Sequence, residues 1–333
     1  MEELIERLVD GHEVAISDLK KCLGEICDGR DYPPEQLAAL LVLLRARGET
    51  PEQLAAIAET LLERAIPVDI PPGATSLVGT GGDHAGTFNI STAASLLVAA
   101  CGVPVAKSGN RSVTSQCGSA DVLEALGIPL DLGPDQAARC IRERGFVFLF
   151  AIVYHPAFKF VGPVRNALKV RTVFNIMGPL VHSGNVKRLV VGVFDRELLD
   201  NMAHVFLSFG HERTLVVSSA DGLDEITLSG PTYAKKVEHG SVSDMIIDPT
   251  EFGFSLCSIE DLKGGDASEN AAIIRDIFGG ARGPKADCIV LNAGFGLYVS
   301  GKVNDPAEGI ALARSVQQSG SALEFLDSLR EEL

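Results

Sequence analysis

Apolar residues recur at three- and four-residue intervals over residues 1–65, which is the spacing of amphipathic helices. The residues that carry this period are Leu4, Leu8, Ile16, Leu19, Leu23, Ile26, Leu37, Leu40, Leu41 and Leu44. One helix start is clearly marked, because Thr50 offers a capping side chain, Pro51 suits the first turn and Gln53 stands three residues after the cap. The proline-rich stretch 66–73 predicts an extended segment and a domain boundary.

Beyond residue 73 the pattern changes to short apolar runs that alternate with longer helical stretches. The predicted strands and the helices that follow them are 76–78 with 91–101, 103–106 with 119–126, 146–151 with 156–168, and 189–194 with 197–209. A strand over 214–218, antiparallel strands over 226–242 and helices over 270–279 and 306–329 complete the pattern. This alternation predicts an α/β fold in which helices cover a sheet and ligands bind beyond the carboxyl ends of strands.

Composition narrows the class of protein. The chain has 333 residues, of which 46% are hydrophobic and 22% charged, as is typical of a globular protein with about two domains. A net charge of −15 disfavours a nucleic-acid surface, which needs clustered lysine and arginine. The acidic amino terminus lacks the features of a secretory signal, and no apolar window reaches the ~18 residues of a membrane span. The seven scattered cysteines are typical of reduced thiols, so we expect a cytoplasmic protein.

The first of three loops with chemical interest covers residues 79–92 and follows a predicted strand. Gly79, Gly81 and Gly82 let backbone amides approach a ligand closely, because a Cβ atom would clash there. The helix that starts near Ser91 adds unpaired amides and a positive dipole end. The spacing is neither that of a Walker A loop nor that of the dinucleotide fingerprint. Taken alone, the loop fits an anion site and a tight turn with a Ser/Thr cap equally well.

The second loop covers residues 107–121 and again follows a strand. It concentrates two cations, Lys107 and Arg111, and five hydroxyl side chains in a chain that is short of positive charge. Lysine and arginine neutralise phosphate oxygens, and hydroxyl groups add hydrogen bonds. A solvated polar loop is the alternative, but a second Gly/Ser-rich loop after a strand favours a phosphate site.

The third loop holds Asp221, Asp224 and Glu225. Such carboxylates are often only solvated charge, but beside two phosphate-type loops they predict Mg²⁺, which bridges carboxylates to substrate phosphates. No nucleophile–base pair is evident, although His155 could contact a ligand. A reaction that depends on positioning and charge stabilisation, such as displacement of pyrophosphate, therefore fits best.

In order and spacing, the three loops resemble those of the anthranilate phosphoribosyltransferase family. The intervening segments 154–157, 164–165 and 171–180 are similar to the acceptor-side segments of that family, and the similarity covers nearly the whole chain. The resemblance implies transfer of a phosphoribosyl group from phosphoribosyl pyrophosphate to anthranilate in tryptophan biosynthesis. It also implies Mg²⁺ as cofactor and a homodimer joined through its small domains, with no nucleic-acid or membrane partner.

The architecture implied is α/β and nucleoside phosphorylase-like, with a small all-helical domain and a large α/β domain built on a mixed central sheet. The small domain would cover residues 1–68 together with a returning helical segment near 155–185. The large domain would cover residues 74–154 and 186–333.

The resemblance also implies roles for individual residues. The residues that would hold the donor are Gly79, Gly82, Asp83, Thr87, Asn89, Ser91, Thr92, Lys107, Ser115 and Ser119. The residues that would face the acceptor are Gly79, Asn110, His155 and Arg165, with Arg165 meeting the anthranilate carboxylate. Ser91, Asp224 and Glu225 would hold Mg²⁺. No residue is assigned as acid or base, and Lys107, Asp224 and Glu225 are expected to matter most.

Three departures from the family pattern lie on the acceptor side. Ser108 stands where histidine is usual, Ile152 where proline or a polar residue is frequent, and 182–184 reads His-Ser-Gly instead of Asn-Pro-Ala. A same-fold phosphoribosyltransferase with another aromatic acceptor therefore stays open as an alternative. The further alternatives are a pyrimidine nucleoside phosphorylase and, outside the enzymes, a nucleic-acid-binding homologue.

Overall fold

The computed structural model describes residues 1–112 and 116–330. It begins with four helices, α1 (Glu2–Val9), α2 (Ile16–Cys27), α3 (Pro34–Arg47) and α4 (Pro51–Leu62). The predicted cap is present, since the Gln53 N–H donates to Thr50 Oγ1 at 3.3 Å and the Thr50 N–H donates to Gln53 Oε1 at 3.1 Å. The predicted leucine positions line a shared core, and Leu19 and Leu40 are fully buried there.

Strands and helices alternate through the rest of the chain, as the pattern predicts. The strands are β1 (Ser76–Gly79), β2 (Val105–Gly109), β3 (Phe146–Phe150), β4 (Arg188–Gly192), β5 (Arg213–Ser219), β6 (Thr232–Glu238) and β7 (Ser241–Ile247). The helices are α5 (Ile90–Ala100), α6 (Ser119–Ala125), α7 (Pro134–Arg144), α8 (Ala151–Tyr154), α9 (Phe158–Leu168), α10 (Met177–Leu180), α11 (Leu198–Ser208), α12 (Ala267–Phe278), α13 (Pro284–Ser300), α14 (Pro306–Ser319) and α15 (Ser321–Ser328). Short 3₁₀ helices occupy Val173–Asn175, Pro249–Phe252 and Ile259–Leu262.

The central sheet is mixed, which confirms the predicted fold class. Its five strands lie in the order β1-β4-β5-β6-β7. Strands β1, β4 and β5 run parallel, whereas β6 and β7 pair antiparallel. Strands β2 and β3 form a separate parallel pair, which meets the first strand through a bridge between Thr75 and Val105. The carboxyl ends of β1 and β4 therefore lie side by side, where a ligand site is expected in a parallel sheet.

The segment near 155–185 returns to the helical part of the chain. Helix α9 packs on α2 and α3, and α10 packs on α4. Val161, Phe174 and Leu180 are buried in the same core as the first four helices. The segment near 155–185 therefore packs with the first four helices, as predicted. The domain boundaries themselves remain predictions. Within the described ranges, no helix combines the length and apolar character of a membrane span.

Three helical regions depart from the predicted pattern. Helix α13 lies where none is predicted, because it is buried on nearly all sides and therefore shows no amphipathic period. Helix α7 was also not predicted, although Pro134 occupies its first turn. The predicted helix over 306–329 is two helices, since Gly320 adopts a φ of 83° and ends α14.

Candidate active site

A notch at the ends of β1 and β4 brings the first and third loops together. Gly79 and Gly192 face each other in the register of these two strands. A Cβ atom on Gly192 would overlap the backbone carbonyl of Asp224, and one on Gly79 would overlap the Asp224 carboxylate. Because Gly79 and Gly192 carry no side chain, the acidic loop packs directly against the carboxyl ends of β1 and β4.

Both carboxylates of the acidic pair accept hydrogen bonds from the backbone of the first loop. Asp224 Oδ2 accepts from the Gly81 N–H at 2.6 Å, and Glu225 Oε1 accepts from the Ser91 N–H at 3.0 Å. Ser91 lies in the first turn of α5, so Glu225 occupies the positive end of that helix. The structure thus unites two loops that the sequence predicted as separate elements of one site.

Lys107 is the cation beside this pair, and its side chain is only 2% exposed. Its Nζ donates to the Leu77 carbonyl at 2.8 Å and to Ser91 Oγ at 3.4 Å. Burial lowers the pKa of Lys107, and the nearby Glu225 and Asp224 oppose that shift. Burial likewise raises the pKa of both carboxyl groups. A cation bound between these two carboxyl groups would favour their charged forms, because a nearby positive charge lowers the pKa of a carboxyl group.

The donor set fits Mg²⁺. Ser91, Asp224 and Glu225 supply a hydroxyl and two carboxylates, which are the hard oxygen ligands this ion prefers. In the described part of the chain, no three His, Cys, Asp or Glu side chains form a cluster that could hold a metal alone. Such a partial set suits Mg²⁺, because the ion usually keeps several waters and completes its coordination with substrate phosphates.

The first loop presents free amides. Gly81, Gly82 and Gly86 have φ values of 69°, 84° and 65°, and His84 shares this left-handed region at 57°. Among residues 1–112 and 116–330, no oxygen accepts a hydrogen bond from the N–H groups of Gly82, Asp83 or Gly86. Successive unpaired amides of this kind form an anion-binding concavity.

The remaining donor-side residues lie in the first loop, in the first turn of α5 and at the start of α6. The Asn89 side chain donates to the Cys117 carbonyl at 3.2 Å, and Thr92 is buried in the first turn of α5. Thr87 pairs with Lys263 in an isolated antiparallel bridge. Ser119 Oγ donates to the Asn110 carbonyl at 3.3 Å, which ties α6 to the second loop. The predicted donor residue Ser115 lies outside the described residues.

Arg111, the second cation of the second loop, does not lie beside the acidic pair as Lys107 does. Its guanidinium pairs with Asp121 at 3.0 Å and with Glu124 at 2.8 Å, and both partners belong to α6. The same guanidinium lies 5.8 Å from the centroid of the Phe150 ring. The charge of Arg111 therefore stabilises the second loop against α6, and Lys107 is the cation of that loop whose charge acts on the acidic pair.

Two predicted acceptor residues lie on the returning segment. His155 is buried and stacks on Phe158 with 5.2 Å between ring centroids, and burial lowers its pKa to about 4. Arg165 lies 5.8 Å from the centroid of the Phe174 ring, and burial lowers the pKa of its guanidinium. No carboxylate of the described ranges forms an ion pair with Arg165. A partly buried arginine without a carboxylate is suited to bind an anionic ligand.

Two of the three acceptor-side departures, the segment 182–184 and Ile152, have different structural consequences. His182 is buried below β2, where its Nε2 lies 2.8 Å from the Ala106 carbonyl and its Nδ1 accepts from the Gly184 N–H at 3.1 Å. Ser183 Oγ lies 2.9 Å from His155 Nε2, so this departure fixes a predicted acceptor residue. Ile152 is 62% exposed, and it gives the acceptor side an apolar surface.

Three further residues support the site: Asn292 and Asn270, which lie outside the three loops, and Asp221 of the third loop, to which the resemblance gave no role of its own. Asn292 on α13 accepts from the Ile226 N–H at 3.1 Å and donates to the Ile226 carbonyl at 2.8 Å, directly after the acidic pair. Asn270 donates to Asn89 Oδ1 at 3.0 Å. Asp221 accepts from the hydroxyl groups of Ser219, Thr227 and Ser229. Asn292 could have been identified from the sequence, because it is a lone polar residue in a long apolar stretch and a buried polar group needs a hydrogen-bond partner.

Comparison with known proteins adds independent information. Residues 2–65 match the helical bundle domain of the glycosyl transferase family, and residues 73–323 match its a/b domain. The chain is 41% identical over 331 residues to an anthranilate phosphoribosyltransferase of Bradyrhizobium sp. strain BTAi1, which covers 94% of this chain and 98% of that protein.

Solved structures agree with this likeness. A crystal structure of anthranilate phosphoribosyltransferase from Thermus thermophilus superposes with a TM-score of 0.92 at 40% identity and 98% coverage of both chains. The Saccharomyces cerevisiae enzyme in complex with PRPP and Mg has a TM-score of 0.89 at 25% identity, with 98% of this chain and 96% of that chain covered.

Proposed function

This chain belongs to the glycosyl transferase family, among its anthranilate phosphoribosyltransferases. We propose that the site at the carboxyl ends of β1 and β4 catalyses the reaction of those enzymes. The phosphoribosyl group of phosphoribosyl pyrophosphate passes to anthranilate, giving N-(5-phosphoribosyl)anthranilate and pyrophosphate in tryptophan biosynthesis. The observation that carries the proposal is the junction of the acidic pair with the first loop, where Asp224 and Glu225 accept from its amides next to the buried Lys107.

The cleft is suited to stabilise a departing anion. The free amides of Gly82, Asp83 and Gly86 and the ammonium group of Lys107 would contact the donor's phosphate oxygens. When bound by Ser91 and the acidic pair, Mg²⁺ supplies further charge neutralisation to pyrophosphate. As the bond from ribose C1 to pyrophosphate breaks, the centre becomes oxocarbenium-like. Pyrophosphate leaves with the electrons of the broken bond, the anthranilate nitrogen bonds to C1, and its proton passes to the surrounding water.

The acceptor is bound from the returning segment. Arg165 would meet the anthranilate carboxylate, because its guanidinium has no carboxylate partner in the described ranges. His155 would line the site as a neutral ring, since burial lowers its pKa to about 4. Asn110 and Gly79 would complete the acceptor contacts at the boundary with the donor.

A fluorescence assay tests the reaction. Protein, Mg²⁺, phosphoribosyl pyrophosphate and anthranilate are mixed, and the loss of anthranilate fluorescence is followed with and without EDTA. We expect a loss that requires Mg²⁺. No loss with anthranilate, together with pyrophosphate release when another aromatic amine is supplied, would reassign the acceptor. That outcome is the alternative that Ser108 and the 62% exposed Ile152 favour.

A homodimer joined through the small helical domains is the assembly we propose, with the cytoplasm as its location. Val9 at the end of α1 is 64% exposed and Val42 on α3 is 40% exposed, so this part of the surface carries apolar side chains for a partner to cover. Sedimentation should give twice the chain mass, and Val42→Asp should shift it toward the monomer. A wild-type monomer at micromolar concentration would contradict the dimer.

A further inference from the structure

Two cationic side chains to which the resemblance gave no role, Lys263 and Arg171 of the predicted acceptor-side segment 171–180, reach carbonyl groups of the first loop. Arg171 follows α9, and its Nη2 donates to the Gly82 carbonyl. The same guanidinium lies 4.1 Å from the centroid of the Phe194 ring, just beyond β4. Lys263 precedes α12, and its Nζ donates to the Ala85 carbonyl at 2.6 Å. These contacts belong to neither the acidic pair nor the acceptor residues.

The backbone around Lys263 strengthens the second contact. The Gly264 N–H donates to the Gly86 carbonyl at 3.1 Å, and the Phe88 N–H donates to the Leu262 carbonyl at 3.0 Å. Together with the bridge between Thr87 and Lys263, they make residues 262–264 a short edge for the loop. The loop is therefore held at its carbonyl groups by one segment near α9 and by another before α12.

Holding a carbonyl group also sets the direction of the next amide. In a trans peptide unit the C=O and N–H groups point in opposite directions, and the described chain contains no cis peptide bond. Arg171 on the Gly82 carbonyl therefore directs the Asp83 N–H away from itself, and Lys263 on the Ala85 carbonyl does the same for the Gly86 N–H. These are two of the amides that donate to no oxygen of the described residues.

We propose that Arg171 and Lys263 are positioning residues for the donor, because they orient the peptide units whose amides receive its phosphate oxygens. The proposal rests on the proposed function, since it assigns the ligand of those amides. Without the two cations the glycines of the loop are free to rotate these peptide units, because glycine populates positive and negative φ about equally. Binding of the donor would then have to restore their orientation at a cost in affinity.

The test compares Arg171→Met and Lys263→Met with matched controls. Arg196→Met also removes a guanidinium from an aromatic ring, that of Tyr233 at 3.5 Å, and Lys235→Met removes a lysine that pairs with Asp200 and Asp244. Calorimetry measures the affinity of each variant for phosphoribosyl pyrophosphate with Mg²⁺, and kinetics separate KM from kcat. Each test variant should lose donor affinity about tenfold, or about 1.4 kcal/mol, while its KM for anthranilate changes less than about twofold.

Two further measurements separate positioning from general stability. The melting temperatures of the test variants should match those of their controls. Phe194→Leu should weaken donor binding in the same direction, and its effect should not add fully to that of Arg171→Met, because the two side chains are in contact. Wild-type donor affinity in both test variants would overturn the proposal, as would an equal loss of donor and anthranilate affinity with a lower melting temperature. Failure of the wild-type protein to bind donor would instead overturn the proposed function.

Discussion

Replacing Asn292 with leucine should damage the metal site without touching a metal ligand. The side chain is 2% exposed and is the hydrogen-bond partner of both backbone polar groups of Ile226, the residue that follows the acidic pair. Asn292→Leu leaves that N–H and that carbonyl buried without partners, at roughly 1–3 kcal/mol each. After the gain from the added apolar side chain, we expect a net loss of about 2–4 kcal/mol.

The assay reads two quantities. At about 2 °C per kcal/mol for a chain of this size, the melting temperature should fall by about 4–8 °C. The KM for Mg²⁺ should rise severalfold, because Ile226 no longer holds the adjacent Glu225 in place. Gln317→Leu is the matched control, since buried Gln317 donates to the Ile277 and Ala281 carbonyls at 2.7 and 2.9 Å in the same half of the chain.

The comparison with the control decides the interpretation. Gln317→Leu should lower the melting temperature by a similar amount and leave the KM for Mg²⁺ unchanged. If both variants raise that KM equally, the effect comes from general loosening of the fold and the assigned role of Asn292 is wrong.

Three further predictions concern the site and its surroundings. Asp224→Asn with Glu225→Gln should abolish turnover yet leave the circular dichroism spectrum intact, since amide oxygens can still accept from the first loop; full activity would remove the pair from the mechanism. Gly192→Ala should cost roughly 1–3 kcal/mol of stability and lower kcat at least about tenfold, because the new Cβ displaces Asp224; wild-type kcat would contradict the close packing. Burial lowers the pKa of His182 from 6.5 to about 4, so the unfolded chain binds its proton first and stability falls as the pH decreases from 6.5 toward 4. Burial also lowers the pKa of His155 and His211, so His182→Asn should reduce that fall in melting temperature only in part, and an unchanged slope would exclude His182 as a contributor.

The sequence predicted the individual loops of the site better than the contacts between them. Loops after strands were recognised because glycine, hydroxyl and charged residues follow apolar runs. The contact of Asp224 with the Gly81 amide joins loops far apart in sequence, and no local pattern encodes it. The ion pairs of Arg111 with α6 likewise depend on tertiary structure. Because of these pairs, Arg111 does not lie beside the acidic pair.

Helix α13 shows why part of the fold was not predicted. Buried helices lack the polar face that gives a periodic signal, so the long apolar run of α13 has no detectable helical period. Asn292 stands within that run, and its hydrogen bonds to the distant Ile226 backbone account for a buried polar residue there. The roles that the family resemblance implies for individual site residues remain predictions, and the experiments above test them.

The paired glycines at positions 79 and 192 limit which substitutions this chain can accept during evolution. Donor-side and acceptor-side positions both lie between these glycines in the sequence, so the interval as a whole is not free to change. A Cβ atom at either glycine would displace Asp224, whatever the acceptor is. A duplicated copy that acquires a new aromatic substrate through changes at Ser108 or in the segment 182–184 must therefore keep both glycines.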